Sequence, residues 1–281
     1  MVRVMRTLLL AAVFVAGACG PGSRNPGDPD APGGRDGNGG DSSNADMSRV
    51  YAHSGSKLYR IDTQSLHPVE VGTITGLGAM SLTDLAIDKS DHMVGVTLNS
   101  LYAINPATGA ATLVKALVGS SGYTSLSYVP SNLNDPSSTD ILVSANDQGD
   151  VFQIEPTTGV STKLGSFGTA GAGKVISSGD LIGVRGLGIY ATVDVGTQPN
   201  DYLASIDPVT WKATPIGTGT GFNHIFGLGF WAGTIYGFVD NGTGSGKIIT
   251  INPNTGVGTA VDTGAIQWFG AGVSTDAPIL Q

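Results

Sequence analysis

Five short segments of the chain alternate apolar and polar positions with a period near two: KLYRID (57–62), SLYAIN (100–105), DVFQIE (150–155), YLASID (202–207) and KIITIN (247–252). Successive side chains of a β-strand point to opposite faces, so this alternation predicts half-buried strands. No stretch between Met47 and Gln281 carries capped apolar positions at i, i+3 and i+4, which predicts almost no helix. The Ile that closes each strand falls at 61, 104, 154, 206 and 251, so the units are 43 to 52 residues long. Several strands in each unit of that length are the pattern of a β-propeller.

The strands run into near-copies of one hexapeptide: INPATG (104–109), IEPTTG (154–159), IDPVTW (206–211) and INPNTG (251–256). An Asx side chain at the start of such a turn accepts from the backbone two residues on, and Pro presets φ at the next corner. Gly109, Gly159 and Gly256 supply a positive φ, as a hairpin loop with a bulge requires. The motif therefore predicts the outer hairpin of each blade. Trp211 stands where the other copies have Gly, and a left-handed conformation is costly for a bulky residue. That turn is expected to differ in shape. The first unit, DTQSLH (62–67), has neither Pro nor Gly.

Two further strands precede each hairpin. GLGFWAGTIYGFVDNG (227–242) shows the pair, with a tight turn at Ala232-Gly233, and LIGVRGLGIYATVDVG (181–196) repeats it around Gly186. The inner strands mix large and small residues (Leu228-Gly229-Phe230, Ile182-Gly183-Val184, Leu85-Ala86-Ile87), so that sheets can converge on an axis. The first unit begins at its second strand, RVYAHS (49–54), and FGAGVS (269–274) fits the missing inner strand. Pairing of 269–274 with Val50–His53 would close the ring and remove an exposed sheet edge. The expected fold is all-β: one domain over 47–281, a five-bladed β-propeller of four-stranded blades closed by the C-terminal strand. Such a length is ordinary for a single all-β domain.

Charge and cysteine content narrow the function classes. The formal net charge is −8 and no cluster of Lys and Arg occurs, which excludes a nucleic-acid partner. Cys19 is the only cysteine, so no disulfide forms within the chain. Arg3 and Arg6 precede an apolar run, Thr7 to Val15, too short to span a bilayer, and Ala16-Gly17-Ala18 leads into Cys19. Residues 1–18 read as a signal peptide, and 19–46, rich in Gly, Pro and Asp, as a disordered tether. This stretch resembles a bacterial lipoprotein signal, although Ala16 occupies a position where that family prefers Leu, Val or Ile. The resemblance implies lipidation of Cys19, a membrane anchor and residence in the cell envelope, with Gly20 favouring the outer membrane or cell surface. The units of 47–281 resemble the LYxIDPxTGxxTxIG-type propeller repeats of bacterial extracytoplasmic lipoproteins. That likeness implies the architecture but no particular activity.

Candidate chemistry is sparse. His53, His67, His92 and His224 show no metal-ligand spacing with one another or with Cys19, no G-x-S-x-G elbow occurs, and no cofactor is expected. The segments leading into the inner strands should converge at one mouth of the axial channel. They bring Ser81, Thr83, Thr124 and Phe226 there together with six candidate ligand-binding residues: Asp84, Tyr123, Asp180, His224, Gln267 and Trp268. Polar groups and aromatics in that combination suit a small polar ligand such as a sugar. The alternative is a plugged channel in which these groups satisfy one another. A slip of a few residues in the fourth unit would put Arg185 at the mouth in place of Asp180. Three functions follow: a tethered binding or scaffold module for protein or glycan; a carboxylate- or calcium-dependent glycan hydrolase or lyase using Asp84, Asp88 and Asp180; or a structural envelope protein.

Overall fold

Strands joined by short turns pair with their sequence neighbours, and the chain forms 21 strands with no helix among the described residues. The computed structural model describes residues 47–62, 64–119, 122–242 and 244–279. The leader (1–18), Cys19 and the tether (19–46) lie outside the described residues.

The strands assemble into five antiparallel sheets, each a blade. Blade 1 holds β1 (Met47–His53), β2 (Lys57–Asp62) and β3 (Pro68–Thr73). Blade 2 is β4 (Asp84–Ile87), β5 (Met93–Val96), β6 (Ser100–Ile104) and β7 (Ala111–Ala116). Blade 3 is β8 (Ser127–Pro130), β9 (Asp140–Ala145), β10 (Asp150–Ile154) and β11 (Ser161–Ser166). Blade 4 adds a two-residue strand, β12 (Thr169–Ala170), to β13 (Gly173–Val184), β14 (Gly188–Val195), β15 (Tyr202–Ile206) and β16 (Ala213–Pro215). Blade 5 is β17 (Ile225–Trp231), β18 (Thr234–Val239), β19 (Lys247–Ile251) and β20 (Gly258–Thr263). The last strand, β21 (Gly270–Val273), returns to blade 1 as its inner strand, with Val50 opposite Val273 and His53 opposite Gly270. The fold is a five-bladed β-propeller, closed as the sequence predicts.

The core lies between blades. Gly229 backs onto Val50 and Gly272 onto Leu85, so closely that an added Cβ would meet Val50 Cγ1 at 2.4 Å and Leu85 Cδ1 at 2.7 Å. The small residues of the inner strands thus set the spacing of neighbouring sheets.

The five outer turns share one geometry, which corrects the expectation for the turn at Trp211. In each, the first residue's carbonyl accepts from the N–H four residues on: Asn105 from Gly109, Glu155 from Gly159, Asn252 from Gly256, and also Asp207 from Trp211 and Asp62 from Leu66. Trp211 adopts φ 61° and Leu66 φ 59°, beside 73° to 77° at the three glycines. The Trp211 turn therefore keeps the shape of the others. Its strain is offset by burial of the indole, which is 5% exposed in the core of blades 3 and 4. Gly165 on the preceding blade makes the room, since a Cβ there would lie 3.0 Å from that of Trp211. Four outer strands also carry a bulge, between Leu58/Tyr59, Leu101/Tyr102, Val151/Phe152 and Ile248/Ile249 and their partners. Bulges blunt the exposed edges of these blades.

The segment after β21 crosses the lower end of the ring. Ser274 pairs with Ile87 of blade 2, the Thr275 carbonyl accepts from Arg185 N–H of blade 4, and the Pro278 carbonyl from Ala232 N–H of blade 5. Arg185 fixes it further. Its guanidinium donates to Asp140 of blade 3, to Thr275 Oγ1 at 2.8 Å and to Asp276 Oδ1 at 2.9 Å. The side chains of Arg185 and Asp140 are only 8% and 5% exposed. Arg185 thus stands at the end of the axis opposite Asp180, and the alternative register of the fourth unit does not occur.

Candidate functional site: the upper axial mouth

Each blade contributes one residue before or within its inner strand to the upper end of the axis: Thr83, Thr124, Gly179, Phe226 and Phe269. Together with Met80, Ser81, Leu98, Tyr123, Asp147 and Ser178 they line a cavity of about 580 Å³. That volume lies within the range of small-molecule and side-chain pockets. Its rim is unusually apolar for a surface: Leu98 is 59% exposed, and Met80 and Phe269 are 38% exposed each.

The residue after each of these forms a second ring below: Asp84, Ser125, Asp180, Gly227 and Gly270. Two of these are carboxyls with no exposure. Asp84 accepts from Leu85 N–H at 2.8 Å in its own blade and from Leu126 N–H at 2.7 Å in the next. Asp180 repeats this with Leu181 and Leu228, both at 2.6 Å. Each side chain thereby staples two adjacent inner strands. Ser125 does a shorter version of the task, its hydroxyl accepting from Ala145 N–H at 2.9 Å within its own blade. Gly270 leaves space for Asp84, since a Cβ there would sit 2.4 Å from Asp84 Oδ1 and 2.8 Å from His53 Nε2.

Burial pushes both carboxyls well above the usual range, and for Asp84 the facing Asp180, within hydrogen-bonding reach, adds to it. Like charges that close cannot both ionise in a dry site, so the pair retains a proton. His53 is also fully buried, and burial pulls its imidazole down to about 4. Nδ1 lies 3.0 Å from the Ser54 carbonyl and so carries the proton, while Nε2 has no partner. A protonated carboxyl pair performs acid–base chemistry only where substrate reaches it, and this one is sealed beneath the cavity.

The six sequence candidates therefore separate. Tyr123 is among the cavity's lining residues, but it is 2% exposed, its ring packs edge-on against Phe152 at 6.0 Å and its hydroxyl donates to Ser161 Oγ on β11. Asp84 and Asp180 lie under the floor rather than on it. His224 is exposed at the rim with φ 59° and stacks on Phe226, centroids 5.5 Å apart. Gln267 turns aside to Asp240, its amide donating at 3.1 Å. Trp268 is a core residue, 2% exposed, packed edge-on against Tyr59 at 5.3 Å and Phe238 at 5.2 Å. Asp88, the third carboxylate considered for hydrolysis, accepts from Ser90 and His92 N–H groups in the β4–β5 turn, at the far end of its strand. Sequence reasoning missed Met80, Leu98, Asp147 and Phe269. Phe269 had a usable signal, because it aligns with Thr83 as the residue just before the second ring. Leu98 and Met80 sit in turns, where an apolar residue without a core face is the available clue.

A second carboxyl pair stands beside this wall. Asp201, next to Ser178, is pushed up to about 6 by burial, and Asp194 is raised as well, chiefly by burial. Asp201 Oδ2 accepts from Ile225 N–H at 2.8 Å, stapling blade 4 to the start of β17. No group of three His, Cys, Asp or Glu among the described residues is placed to hold a metal ion.

Fold and site together define a class: a closed five-bladed propeller with an apolar pocket at one axial mouth and its other end crossed by the chain's own tail. Comparison with known proteins does not take that class to a particular family. No family model matches the chain, and no curated protein matches it in sequence. Among solved structures it is similar to an Agrobacterium tumefaciens protein assigned as TolB, with 14% identity, 78% of this chain and 77% of that one covered, and a TM-score of 0.45. A Bacteroides caccae protein of unknown function shows 9% identity, coverage of 76% and 72%, and a TM-score of 0.42. The computationally designed Ika4 protein shows 18% identity, coverage of 66% and 99%, and a TM-score of 0.34. Likeness at this level leaves the fold resting on the strand pairing of the chain itself.

Proposed function

We propose that this protein is an envelope-anchored binding module that captures a protein partner at the upper axial mouth, tethered through a lipid on Cys19 and the segment 19–46. The observation that carries the reading is the cavity of about 580 Å³ with exposed Met80, Leu98 and Phe269 on its rim. Exposed aliphatic and aromatic side chains grouped around a concavity mark an interaction site. Aliphatic rim residues favour a protein side chain over a glycan, which needs in-plane hydrogen-bonding groups as well as a stacking ring. The hydrolase alternative is disfavoured because the carboxyl oxygens of Asp84 and Asp180 are sealed and engaged with backbone N–H groups. Glycoside hydrolysis requires two carboxyls flanking an accessible bond.

The test is a peptide-library selection and a glycan array run in parallel on the wild-type protein and on Leu98→Asp and Phe269→Asp. Peptide capture weakened at least about tenfold by either substitution supports the reading. Glycan capture, or capture indifferent to both substitutions, overturns it. Anchoring is tested separately by fatty-acid labelling and membrane fractionation. Wild type should label and sediment with outer membranes, and Cys19→Ser should do neither.

A further inference from the structure

The mouth is negatively polarised as well as apolar. Asp147 is the charged residue of its lining, exposed at the rim beside Gly122, whose added Cβ would lie 3.9 Å from Asp147 Oδ1. Its Oδ1 has only a long contact from Gln148 Nε2, 3.4 Å away. Behind the wall stand the carboxyls of Asp201 and Asp194, and under the floor those of Asp84 and Asp180. No Lys or Arg is among the described lining residues. Two aromatic residues from different blades line the same space, Phe226 of blade 5 and Phe269 of blade 1, the latter 38% exposed. An aromatic face attracts a cation, and low-dielectric walls strengthen the field of nearby carboxylates inside a cleft.

Resting on the reading of the mouth as a protein-binding site, we propose that the group it accepts is the cationic side chain of a lysine or arginine on the partner. The methylene stem of such a side chain packs against Met80, Leu98 and Phe269 while its charged head reaches Asp147, the division of labour that long basic side chains follow at interfaces. Met80, Leu98 and Phe269 are each more than a third exposed, which leaves part of their surface for the rest of a partner to cover and which a free amine would leave bare.

The experiment titrates the protein by NMR with three peptides, Ac-Ala-X-Ala-amide, where X is lysine, norleucine or glutamate. Norleucine keeps the stem of lysine and lacks the charge. The lysine peptide is expected to bind about three- to tenfold more tightly than the norleucine peptide, the preference shrinking as salt is raised. Asp147→Asn should remove most of that preference and leave norleucine binding unchanged. Asp147 is exposed and supports no core contact, so the variant folds. Equal binding of lysine and norleucine peptides at the mouth would overturn the cationic assignment and leave the binding site standing. Shifts from no peptide at millimolar concentration would overturn both. Free butylammonium binding as tightly as the lysine peptide would overturn the assignment to a protein side chain.

Discussion

At the scale of single residues, Trp211 and His53 are among the positions that hold conformations or protonation states that the unfolded chain would not choose. Trp211 sits in the left-handed region at φ 61° and stays there because its indole is buried. Relieving the backbone by Trp211→Gly returns about 1 kcal/mol, whereas losing a buried aromatic costs about 3–5 kcal/mol. Trp211→Gly is therefore expected to destabilise by about 2–3 kcal/mol in urea titrations, even though Gly is the residue the other turns use. His53 is the second case. Its folded imidazole titrates near 4 while the unfolded one titrates near 6.5, so the unfolded chain takes up a proton first as pH falls. The contribution is fully present above pH 6.5 and is lost as pH drops toward 4, with an upper bound of about 3 kcal/mol. Asp201, raised to about 6, works in the opposite sense, its contribution fading as pH rises from 3.8 toward 6. The difference in stability between wild type and His53→Phe across this window isolates the histidine. Wild type should lose stability relative to His53→Phe on acidification, and a constant offset would contradict it.

At the scale of strands, the inner ring is held by side chains that act as backbone acceptors. Asp84→Ala leaves the buried N–H groups of Leu85 and Leu126 without partners, and a cost of about 3 kcal/mol or more is expected from chemical denaturation. Asp84→Asn keeps one of the two oxygen acceptors, turns its NH2 toward the other backbone N–H and abolishes the shared proton. Wild-type stability should fall as pH rises above the ordinary carboxylate range, because the folded pair must surrender a buried proton that the unfolded carboxyls have already lost. The asparagine variant should show a flatter profile as pH rises above the ordinary carboxylate range, and infrared spectra should lose a carboxylic-acid band present in wild type at neutral pH.

The outer hairpins were legible in the chain because Asx acceptance, Pro and a positive-φ residue act within six positions. Closure by 269–274 was legible because its large–small pattern matched the other inner strands. The mouth was harder. Trp268, Phe269 and Gly270 are consecutive, yet one enters the core, one the cavity wall and one the sealed ring. A shift of one residue in a strand reassigns every side chain to another face, and turn shape around Trp268 and Gln267 is not written in local composition. Leu66 and Trp211 show the converse: tertiary packing imposed the common turn on sequences that lack its residues.

At the scale of the molecule, closure is a single strand deep. Ending the chain after Phe269 removes β21 and uncovers Val50 and Ala52, both fully buried in the intact ring. Such a protein is expected to lack a cooperative melting transition. Ending it after Val273 preserves the ring but takes Thr275 and Asp276 from Arg185. A loss of about 2 kcal/mol, or a melting temperature lower by about 4–8 °C, is the expected result in calorimetry.

Because β1 is synthesised before any other strand of the ring and β21 after all of them, the chain carries its own test of completeness. An interrupted translation product presents a half-finished rim with unpaired N–H and C=O groups beside Val50 and Ala52. Such an edge is open to pairing with another chain, and only a polypeptide made through β21 covers it.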